Sequence, residues 1–301
     1  MTWTYSNCRT LNSPLGNNTV RERHLQCYAW MVSPTPLLTA PAPRQPFSYY
    51  RQSAGGFRFS MLAALAALIS SPPQTGPVAP SSPLDLSYAW DHAYWAEDPG
   101  WTNPGNGGNV TSWHDAGAQN IPLAGSSPYP TYAASDPNLG NKPSLTSSSV
   151  NVYMNAVGST AVAQPGTVIG VFYNSGTGTE GLFDCSTASR WFYRFSDGSG
   201  QQQLYAGAGP VSYGTALGVG AYFAAITFNG ASSGSAINGG AFVPAGATVG
   251  TNTCGDLRVP GTVGYGMAGS IAFLGFKGNG GLTPAQVTQL QTWAHNHYGF
   301  F

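Results

Sequence analysis

The stretch GSIAFLGFKGNGGLTPAQVTQLQTWAHNHYGF, residues Gly269–Phe300, contains the most clearly marked secondary structure of the chain. Its first part, GSIAFLGFK, is an apolar run bounded by glycines, which predicts a strand. A helix is predicted to follow, because Thr283 can act as its N-cap, Pro284 suits its first position, Gln286 completes a capping box and Gly299 is a stop signal. A helix of about 15 residues is marginal in isolation, so we expect it to dock on a sheet.

The docking face of this helix can be read from the spacing of its apolar residues. Leu282, just before the cap, and Val287 form a predicted hydrophobic staple. The residues that recur at helical spacing and form the predicted face are Val287, Leu290, Trp293, Ala294 and either His297 or Tyr298. His295 and His297 are two positions apart and therefore lie on different faces, so the HNH sequence does not predict a zinc pair.

The composition of the chain favours an all-β domain. Hydrophobic residues make up 42% and aromatic residues 13%, enough for a sizeable core, while 40 glycines suit tight turns. Strand-like runs without helices between them predict antiparallel sheets packed face to face. The runs are Thr167–Ser175, Ser189–Ser196, Gln202–Gly207, Gly220–Gly230 and Gly269–Lys277. Asp-Gly within Ser196–Gly200 predicts a tight hairpin, and the segment from Phe228 to Gly240 predicts a looser one.

The first 84 residues are predicted to be a largely irregular, Pro-rich arm that precedes a single domain at 85–301. Pro, Ser and Ala dominate residues 31–46 and 70–83, which suits extended linkers. Between them, the apolar run Met61–Ile69 predicts a short helix at 60–70. That run is shorter than the roughly 20 residues that span a bilayer, so membrane insertion is not expected. The apolar region of a signal peptide is the alternative interpretation of the same run.

Charge is distributed unevenly along the chain. Residues 1–80 have six arginines and one glutamate, a net charge of +5, whereas residues 81–301 have five basic and ten acidic residues, a net charge of −5. A nucleic-acid-binding domain is expected to have a basic face. The acidic balance of the main domain therefore argues against nucleic acid as its partner.

The four cysteines do not have the spacing of a zinc site. Cys8, Cys27, Cys185 and Cys254 form no CxxC pair, and the first two lie far from the last two. A Cys185–Cys254 disulfide and two buried free thiols are both compatible with the sequence.

Several segments match a known family in the order in which they occur. They are AYWAEDPGWTNPGNGGNVTSWHDAG (93–117) with its turn at Trp113–Gly117, the Pro130–Tyr132 element, LGNKPSL (139–145), TVIGVFYN (167–174) and the closing strand and helix. From about Tyr88 onward the chain resembles the concanavalin A-like lectin/glucanase superfamily, in particular its laminin-G-like jelly-roll branch. The resemblance implies an antiparallel two-sheet jelly-roll sandwich with a C-terminal helix. Phe273 departs from the family pattern, which often has an acidic residue there.

The opening segment 93–117 is most similar to minor structural, tail-type proteins of actinobacterial phages. The resemblance therefore implies a virion protein with other virion proteins as partners. A secreted bacterial carbohydrate-binding protein is the alternative.

The carboxylates do not predict a glycosidase. Retaining enzymes of this kind need two carboxyl groups about 5 Å apart. Glu180 and Asp184 are four positions apart on a predicted strand, which corresponds to about 13 Å. The chain is therefore not predicted to be an enzyme.

Two segments, residues 94–109 and residues 182–198, are predicted to bind a ligand, and the ligand expected is a glycan of the host surface. In the first, Trp101 lies between Pro-Gly pairs in a loop, where a large aromatic side chain has little reason to be buried. In the second, Asp184 or Asp197 could supply one calcium oxygen, but calcium takes six to eight, so no cofactor is predicted. The candidate ligand-binding residues are Tyr94, Trp101, Asn103, Asn106, Asp184, Arg190 and Trp191.

Two functions from different classes remain open at this point. One is a non-catalytic virion protein that recognises a glycan of the host surface. The other is a structural module of the virion that acts through protein contacts alone, with the N-terminal arm as its tether. A homo-oligomer is compatible with both.

Overall fold

The computed structural model describes residues 9–11, 24–26, 82–84, 88–149, 151–156, 162–185, 190–261 and 266–301. The chain divides into two compact units, Met1–Gln74 and Thr75–Phe301. The helix predicted at 60–70 lies outside the described residues, and the boundary predicted at 84/85 stays a prediction. Within the described ranges, no helix is both long and apolar enough to span a membrane.

The described part of the chain contains eighteen strands and one α-helix. The helix, α1, spans Pro284–Tyr298, and two single-turn 3-10 helices span Pro137–Leu139 and Gly230–Ser232. The strands are β1 (Arg9–Leu11), β2 (His24–Gln26), β3 (His92–Trp95), β4 (Ser112–Trp113), β5 (Leu123–Gly125), β6 (Thr131–Asp136), β7 (Lys142–Ser147), β8 (Met154–Asn155), β9 (Gly166–Asn174), β10 (Glu180–Cys185), β11 (Phe192–Ser196), β12 (Gln202–Tyr205), β13 (Val211–Tyr213), β14 (Gly220–Phe228), β15 (Gly234–Ile237), β16 (Val243–Pro244), β17 (Leu257–Val259) and β18 (Gly269–Lys277).

The second unit is a sandwich of two antiparallel sheets. One sheet has the order β16-β15-β14-β9-β18-β7-β6, with β3 also paired to β18, and we call it the covered sheet. The other has the order β13-β12-β11-β10-β17-β8-β5-β4, and we call it the open sheet. In the first unit, β1 and β2 form an antiparallel pair. The predicted all-β fold with two antiparallel sheets and a C-terminal helix is confirmed, as are both predicted hairpins, β11–β12 and β14–β15.

Helix α1 begins and ends where the capping signals predict. The Thr283 hydroxyl accepts a hydrogen bond from the Gln286 N–H, and the Gln286 side chain accepts one from the Thr283 N–H. Gly299 ends the helix in the left-handed region at φ 73°. Both orphan backbone groups of the capping box are therefore satisfied, which stabilises the first turn.

The apolar face of α1 packs on the outer face of the covered sheet. Trp293 is 1% exposed and contacts the rings of Phe273 and Trp95, with centroid distances of 5.8 and 6.4 Å. Phe273 stands where the family that the sequence resembles often has an acidic residue, and its ring packs under the helix against Trp293. The other buried residues of the helix are Leu290, Ala294 and Tyr298. Because the helix lies on one side and the open sheet on the other, the central strands of the covered sheet are buried on both faces.

A second core fills the space between the two sheets. A disulfide between Cys185 at the end of β10 and Cys254 crosses within this core, with a Cα–Cα distance of 5.2 Å. Of the two interpretations left open by the sequence, the bridge is therefore the one observed. It closes a loop of 69 residues, which constrains the unfolded chain.

The turn at Trp113–Gly117 is built around a buried carboxylate. Asp115 is 0% exposed and accepts hydrogen bonds from the backbone N–H groups of Ala93, Gly117 and Ile121. Its Oδ2 atom also lies 2.8 Å from Nδ1 of His92. Asp115 therefore fastens β3 to the loop after β4, which is a structural role.

Candidate functional site

An open groove of about 530 Å³ lies beside β4, at one edge of the open sheet. Its walls come from the loop after β3 and from the segment around β4. The residues whose side chains can meet a ligand there are Trp101, Asn103, Asn109, Thr111, Ser112 and His114. None of the residues that line the groove is a lysine or an arginine. The site therefore combines one aromatic ring with amide, hydroxyl and imidazole groups.

A histidine–aspartate pair holds the loop against the strand. Nδ1 of His114 contacts Oδ2 of Asp98, whose other oxygen accepts a hydrogen bond from the Gly100 N–H at 2.9 Å. The Asp98 side chain is 5% exposed, whereas that of His114 is 34% exposed and lines the groove. A buried carboxylate at Nδ1 fixes the orientation of the imidazole. The contact with Asp98 involves Nδ1 only, so Nε2 of His114 is the ring nitrogen that could bond a ligand in the groove.

Trp101 is fixed in place by its polar edge. Its indole N–H donates to the carbonyl of Ser112 at 3.0 Å, and its ring contacts Tyr132 edge-to-face at a centroid distance of 5.6 Å. The side chain remains partly exposed and lines the groove. A ring that is already held in one orientation loses little entropy when a ligand stacks on it.

The structure brings together two of the predicted ligand-binding residues in the groove, Trp101 and Asn103. Asn106 is exposed but does not line the groove. Its side-chain oxygen accepts a hydrogen bond from the Ala134 N–H of β6, the edge strand of the covered sheet. Asn106 therefore satisfies an edge group that would otherwise be unpaired.

The predictions for Tyr94 and Trp191 are wrong, because both side chains are 0% exposed in the core between the sheets. The Tyr94 hydroxyl donates to the carbonyl of Ile121 at 3.0 Å, and burial, with a smaller contribution from the Asp115 charge, raises the pKa of Tyr94. Trp191 stacks on Phe228 at a centroid distance of 4.5 Å. Neither ring is accessible to a ligand.

Asp184 and Arg190 are paired with each other, away from the groove. The guanidinium of Arg190 donates to both carboxylate oxygens of Asp184, at 2.8 and 2.6 Å. Asp197 accepts hydrogen bonds from Ser199, Gln201 and Ser212. Among the described residues, no three His, Cys, Asp or Glu side chains come together in a group that could hold a metal ion.

The groove and the Asp184–Arg190 pair share the outer face of the open sheet. Cross-strand pairing connects Ser112, Ala124, Asn155, Arg258, Asp184, Phe192 and Tyr205 in one row from β4 to β12. Strand neighbours of this row, such as Trp113 and Leu257, point into the core between the sheets. The row is therefore the face of the sandwich opposite to helix α1.

Glu180, the first residue of β10, is buried and does not line the groove. It is 3% exposed, and its Oε2 atom has no hydrogen-bond partner. Burial raises the pKa of Glu180 to about 7. Irregularities of pairing in β10 bring both Leu182 and Phe183 into the core, so the strict alternation assumed from the sequence does not hold there.

The fold and the groove together define a two-sheet β-sandwich with an edge groove. No protein-family model matches the chain, and no curated protein matches its sequence. Among solved structures, it is similar to domain 4 of AbnA, a GH43 extracellular arabinanase from Geobacillus stearothermophilus in complex with arabinotriose. That match has a TM-score of 0.50 and 14% identity, and covers 67% of this chain and 98% of the domain.

A further similarity is to the Trypanosoma rangeli sialidase in complex with the inhibitor DANA. Its TM-score is 0.45 with 12% identity, and it covers 79% of this chain. The chain spans about two fifths of the length of that sialidase, 39%. At these identities the similarities concern the β-sandwich fold.

Sequence reasoning missed His114, Thr111 and Ser112 in the groove, and also Asp98, which contacts His114 but does not line the groove. The segment Thr111–His114 did contain a signal, since a buried Trp113 between polar neighbours is the alternation of a half-exposed strand. The Asp98–His114 contact could not be read in the same way, because it depends on the path of the loop after β3.

Proposed function

We propose that the chain is a non-catalytic glycan-binding protein whose groove takes a neutral saccharide. The observation that carries the proposal is the fixed, partly exposed Trp101 ring beside neutral hydrogen-bonding groups. Aromatic rings stack on the apolar faces of sugars, while amides, hydroxyls and imidazole bond their hydroxyl groups. A volume of about 530 Å³ suits a ligand of a few sugar units.

The neutral class follows from the charges of the groove. A carboxylated or sulfated sugar is usually met by arginine or lysine, and none lines the groove. The Asp98 carboxylate is buried and bonded to His114 and Gly100, so its negative charge is not presented to a ligand in the groove. Arabinotriose, which is bound by the similar arabinanase domain, is a neutral oligosaccharide and a suitable first probe.

The absence of catalysis is part of the proposal. Asp98 is occupied by His114, Asp184 is paired with Arg190, and Glu180 is buried away from the groove. A glycosidase needs one carboxyl group as acid and a second as base or nucleophile on either side of a bound sugar. Hydrolysis of a bound oligosaccharide that is lost in Glu180→Gln would contradict this part of the proposal.

We propose an extracellular or virion location. The Cys185–Cys254 bridge supports it, because disulfides persist in oxidising surroundings. The virion in particular is proposed from the resemblance of residues 93–117 alone, and a module that only joins virion proteins remains the alternative function. Detection of the chain in purified particles by mass spectrometry would support the virion, and its detection only in culture medium would contradict it.

The experiment that tests the groove is glycan binding by the full chain. An array of neutral glycans that includes arabinotriose is screened, and the best ligand is then measured by calorimetry. We expect Trp101→Ala to weaken binding by about tenfold or more, since a buried aromatic contact at the centre of a site is a typical hot spot. Thr111→Ala, at an exposed residue of the groove wall, should weaken it with less effect on folding.

Phe242→Ala is the matched control, because Phe242 is also an exposed aromatic residue but lies beside β16 at the edge of the covered sheet. The affinity of the Phe242→Ala variant for the glycan should equal that of the wild type. If no neutral glycan binds, or if Trp101→Ala and Phe242→Ala have the same effect, the groove is not a glycan site.

A further inference from the structure

The loop after β3 carries two consecutive acidic residues, and each is bonded to a histidine of a different element. Glu97 accepts a hydrogen bond from Nε2 of His297, in the last turn of α1, at 2.6 Å. Asp98 contacts His114, which follows β4 and lines the groove. The loop that carries Trp101 is therefore bonded to the helix by its first acid and to the groove wall by its second. We call Glu97 and His297 the helix pair.

Aromatic rings fix the orientation of the histidine in the helix pair. The His297 ring stacks on Trp293 with centroids 5.6 Å apart and planes 19° apart, and it contacts Tyr298 edge-to-face at 4.7 Å. Trp293 and Tyr298 are both buried under α1. The side chains of His297 and Glu97 are 17% and 20% exposed, so water and salt screen their bond less than they would at an open surface. The helix pair is therefore a fixed contact of the loop.

A short series of contacts leads from Glu97 to the ring of Trp101. The backbone N–H of Asp98 donates to the carbonyl of Trp95, and that of Trp101 donates to the carbonyl of Asp98, both at 3.1 Å. Tyr132 lies near Glu97 and contacts the Trp101 ring edge-to-face; burial, with a smaller contribution from the Glu97 charge, raises the pKa of Tyr132. A displacement of Glu97 is therefore passed to Trp101 through the backbone turns and through Tyr132.

We propose that the helix pair positions Trp101 for the ligand, so that Glu97 and His297 are positioning residues of the groove. Neither residue lines the groove, and both act through the loop. Without the helix pair, the loop would keep the contact between Asp98 and His114 but lose its support on the side of the helix. A ring that must then be reoriented as the ligand binds costs affinity. The proposal rests on the proposed function of the groove, because it names the residues that prepare that site.

The docking of α1 does not depend on the helix pair. The helix buries the side chains of Leu290, Trp293, Ala294 and Tyr298, and these apolar contacts remain when Glu97 is replaced. A partly exposed ion pair contributes little stability beside such a face. Loss of the pair is therefore expected to loosen the loop and to leave the helix in place, which separates a positioning role from a general role in stability.

Hydrogen exchange of the full chain, followed by mass spectrometry, tests the loop without any ligand. In Glu97→Ala we expect the amides of residues 96–103 to exchange about fivefold faster, the factor expected for the loss of a partly buried ion pair. Residues 284–294 of α1 should exchange as in the wild type, because the helix stays docked. Unchanged exchange at 96–103 would overturn the proposal. Equally faster exchange in both segments would also overturn it, since the pair would then only dock the helix.

A second variant shows whether the two residues act as one unit. His297→Phe keeps a ring to stack on Trp293 but removes the N–H that bonds Glu97, so it should loosen residues 96–103 as Glu97→Ala does. Because the two side chains bond each other, the double variant should exchange no faster than the faster single variant. Near-ultraviolet circular dichroism shows that each variant keeps its tertiary structure. Additive effects of the two substitutions would overturn the pairing.

Binding of arabinotriose, measured by calorimetry, distinguishes this proposal from the proposed function. Glu97→Ala should weaken binding about threefold to tenfold, because the loop must be ordered as the sugar binds, while the midpoint of urea unfolding stays close to that of the wild type. If the wild type does not bind arabinotriose, the proposed function fails for this sugar, whereas hydrogen exchange still decides whether the pair holds the loop. If the wild type and Glu97→Ala bind arabinotriose equally, the groove is a glycan site that the helix pair does not position, and the proposal is overturned.

Gln289→Ala is the matched control, because Gln289 also lies on α1 and accepts a hydrogen bond from the Tyr88 hydroxyl at 2.6 Å. That contact joins the same helix to the segment before β3 rather than to the loop after it. Exchange at residues 96–103 and affinity for arabinotriose should both equal those of the wild type. If Gln289→Ala loosens the loop as much as Glu97→Ala does, any weakened contact of the helix has this effect, and the proposal is overturned.

Discussion

Glu180→Gln is expected to remove much of the pH dependence of stability between mildly acidic and mildly alkaline solution. Glu180 is 3% exposed, lacks a partner for Oε2, and has its pKa raised by burial from 4.5 to about 7. A carboxyl group whose pKa is higher in the folded state costs nothing while both states are protonated. As the pH rises above 4.5, the unfolded chain ionises first and stability falls, until the folded state also ionises near pH 7.

The size of the effect follows from the two pKa values. They differ by about 2.5, and each unit is worth about 1.4 kcal/mol, so the wild type loses up to about 3 kcal/mol of unfolding free energy between about pH 4 and pH 8. Gln has nearly the same shape as protonated Glu and does not ionise. The two proteins should therefore have similar stability at pH 4, and Glu180→Gln should be more stable by up to about 3 kcal/mol at pH 8.

The measurement is urea unfolding of the full chain, with the disulfide intact, followed by tryptophan fluorescence at half-unit steps from pH 4 to pH 8. The difference between the two proteins isolates Glu180 from every other titrating group. A constant difference across the range, or one that shrinks as the pH rises, would refute the reasoning.

Three further substitutions test separate parts of the fold. Asp197→Asn should destabilise the protein above about pH 4 and lose its effect as the pH falls toward 2. Burial alone would raise the pKa of Asp197, but hydrogen bonds from Ser199, Ser212 and Gln201 lower it to about 2. A pH-independent effect in urea unfolding would contradict this assignment. Thr283→Ala should cost about 1 kcal/mol in thermal or urea unfolding because it removes the cap of α1, and an unchanged midpoint would mean that the capping box contributes nothing. Trp293→Ala should cost about 3–5 kcal/mol by leaving a cavity between α1 and the covered sheet, and a loss below 1 kcal/mol would show that the helix does not depend on this contact.

The elements that sequence could predict are those set by local chemistry. Helix α1 depends on the cap at Thr283, the stop at Gly299 and a repeating apolar face, all of which lie within one short segment. The same holds for strand β18, whose predicted and observed bounds are both Gly269–Lys277. The hairpin between β11 and β12 is equally local, since its loop of residues 197–201 turns at two glycines with positive φ, Gly198 and Gly200.

The candidate site was harder to predict because it depends on contacts between separate segments. Asp98 and His114 are 16 positions apart in sequence, and they meet only because the loop after β3 folds back against the segment around β4. Trp101 could be selected from its loop, whereas Tyr94 and Trp191 could not be excluded, since an aromatic residue in a strand gives no sign of the face it occupies until the sheet order is known. Local spacing therefore identifies candidate side chains, while strand order decides which are accessible.

The pattern of apolar and polar residues along single strands nevertheless indicates which sheet lies under the helix. Strand β9, GTVIGVFYN, is buried at eight of its nine positions and reads as a continuous apolar run, which is expected of a strand covered on both faces. Strand β12, QQLY, alternates between buried and half-exposed positions, as expected of a strand with one face toward solvent. The docking of α1 on the continuous strands leaves the alternating strands with their polar face uncovered. The groove lies beside β4 at the edge of that sheet, so the packing that positions the helix also determines which face of the sandwich stays uncovered.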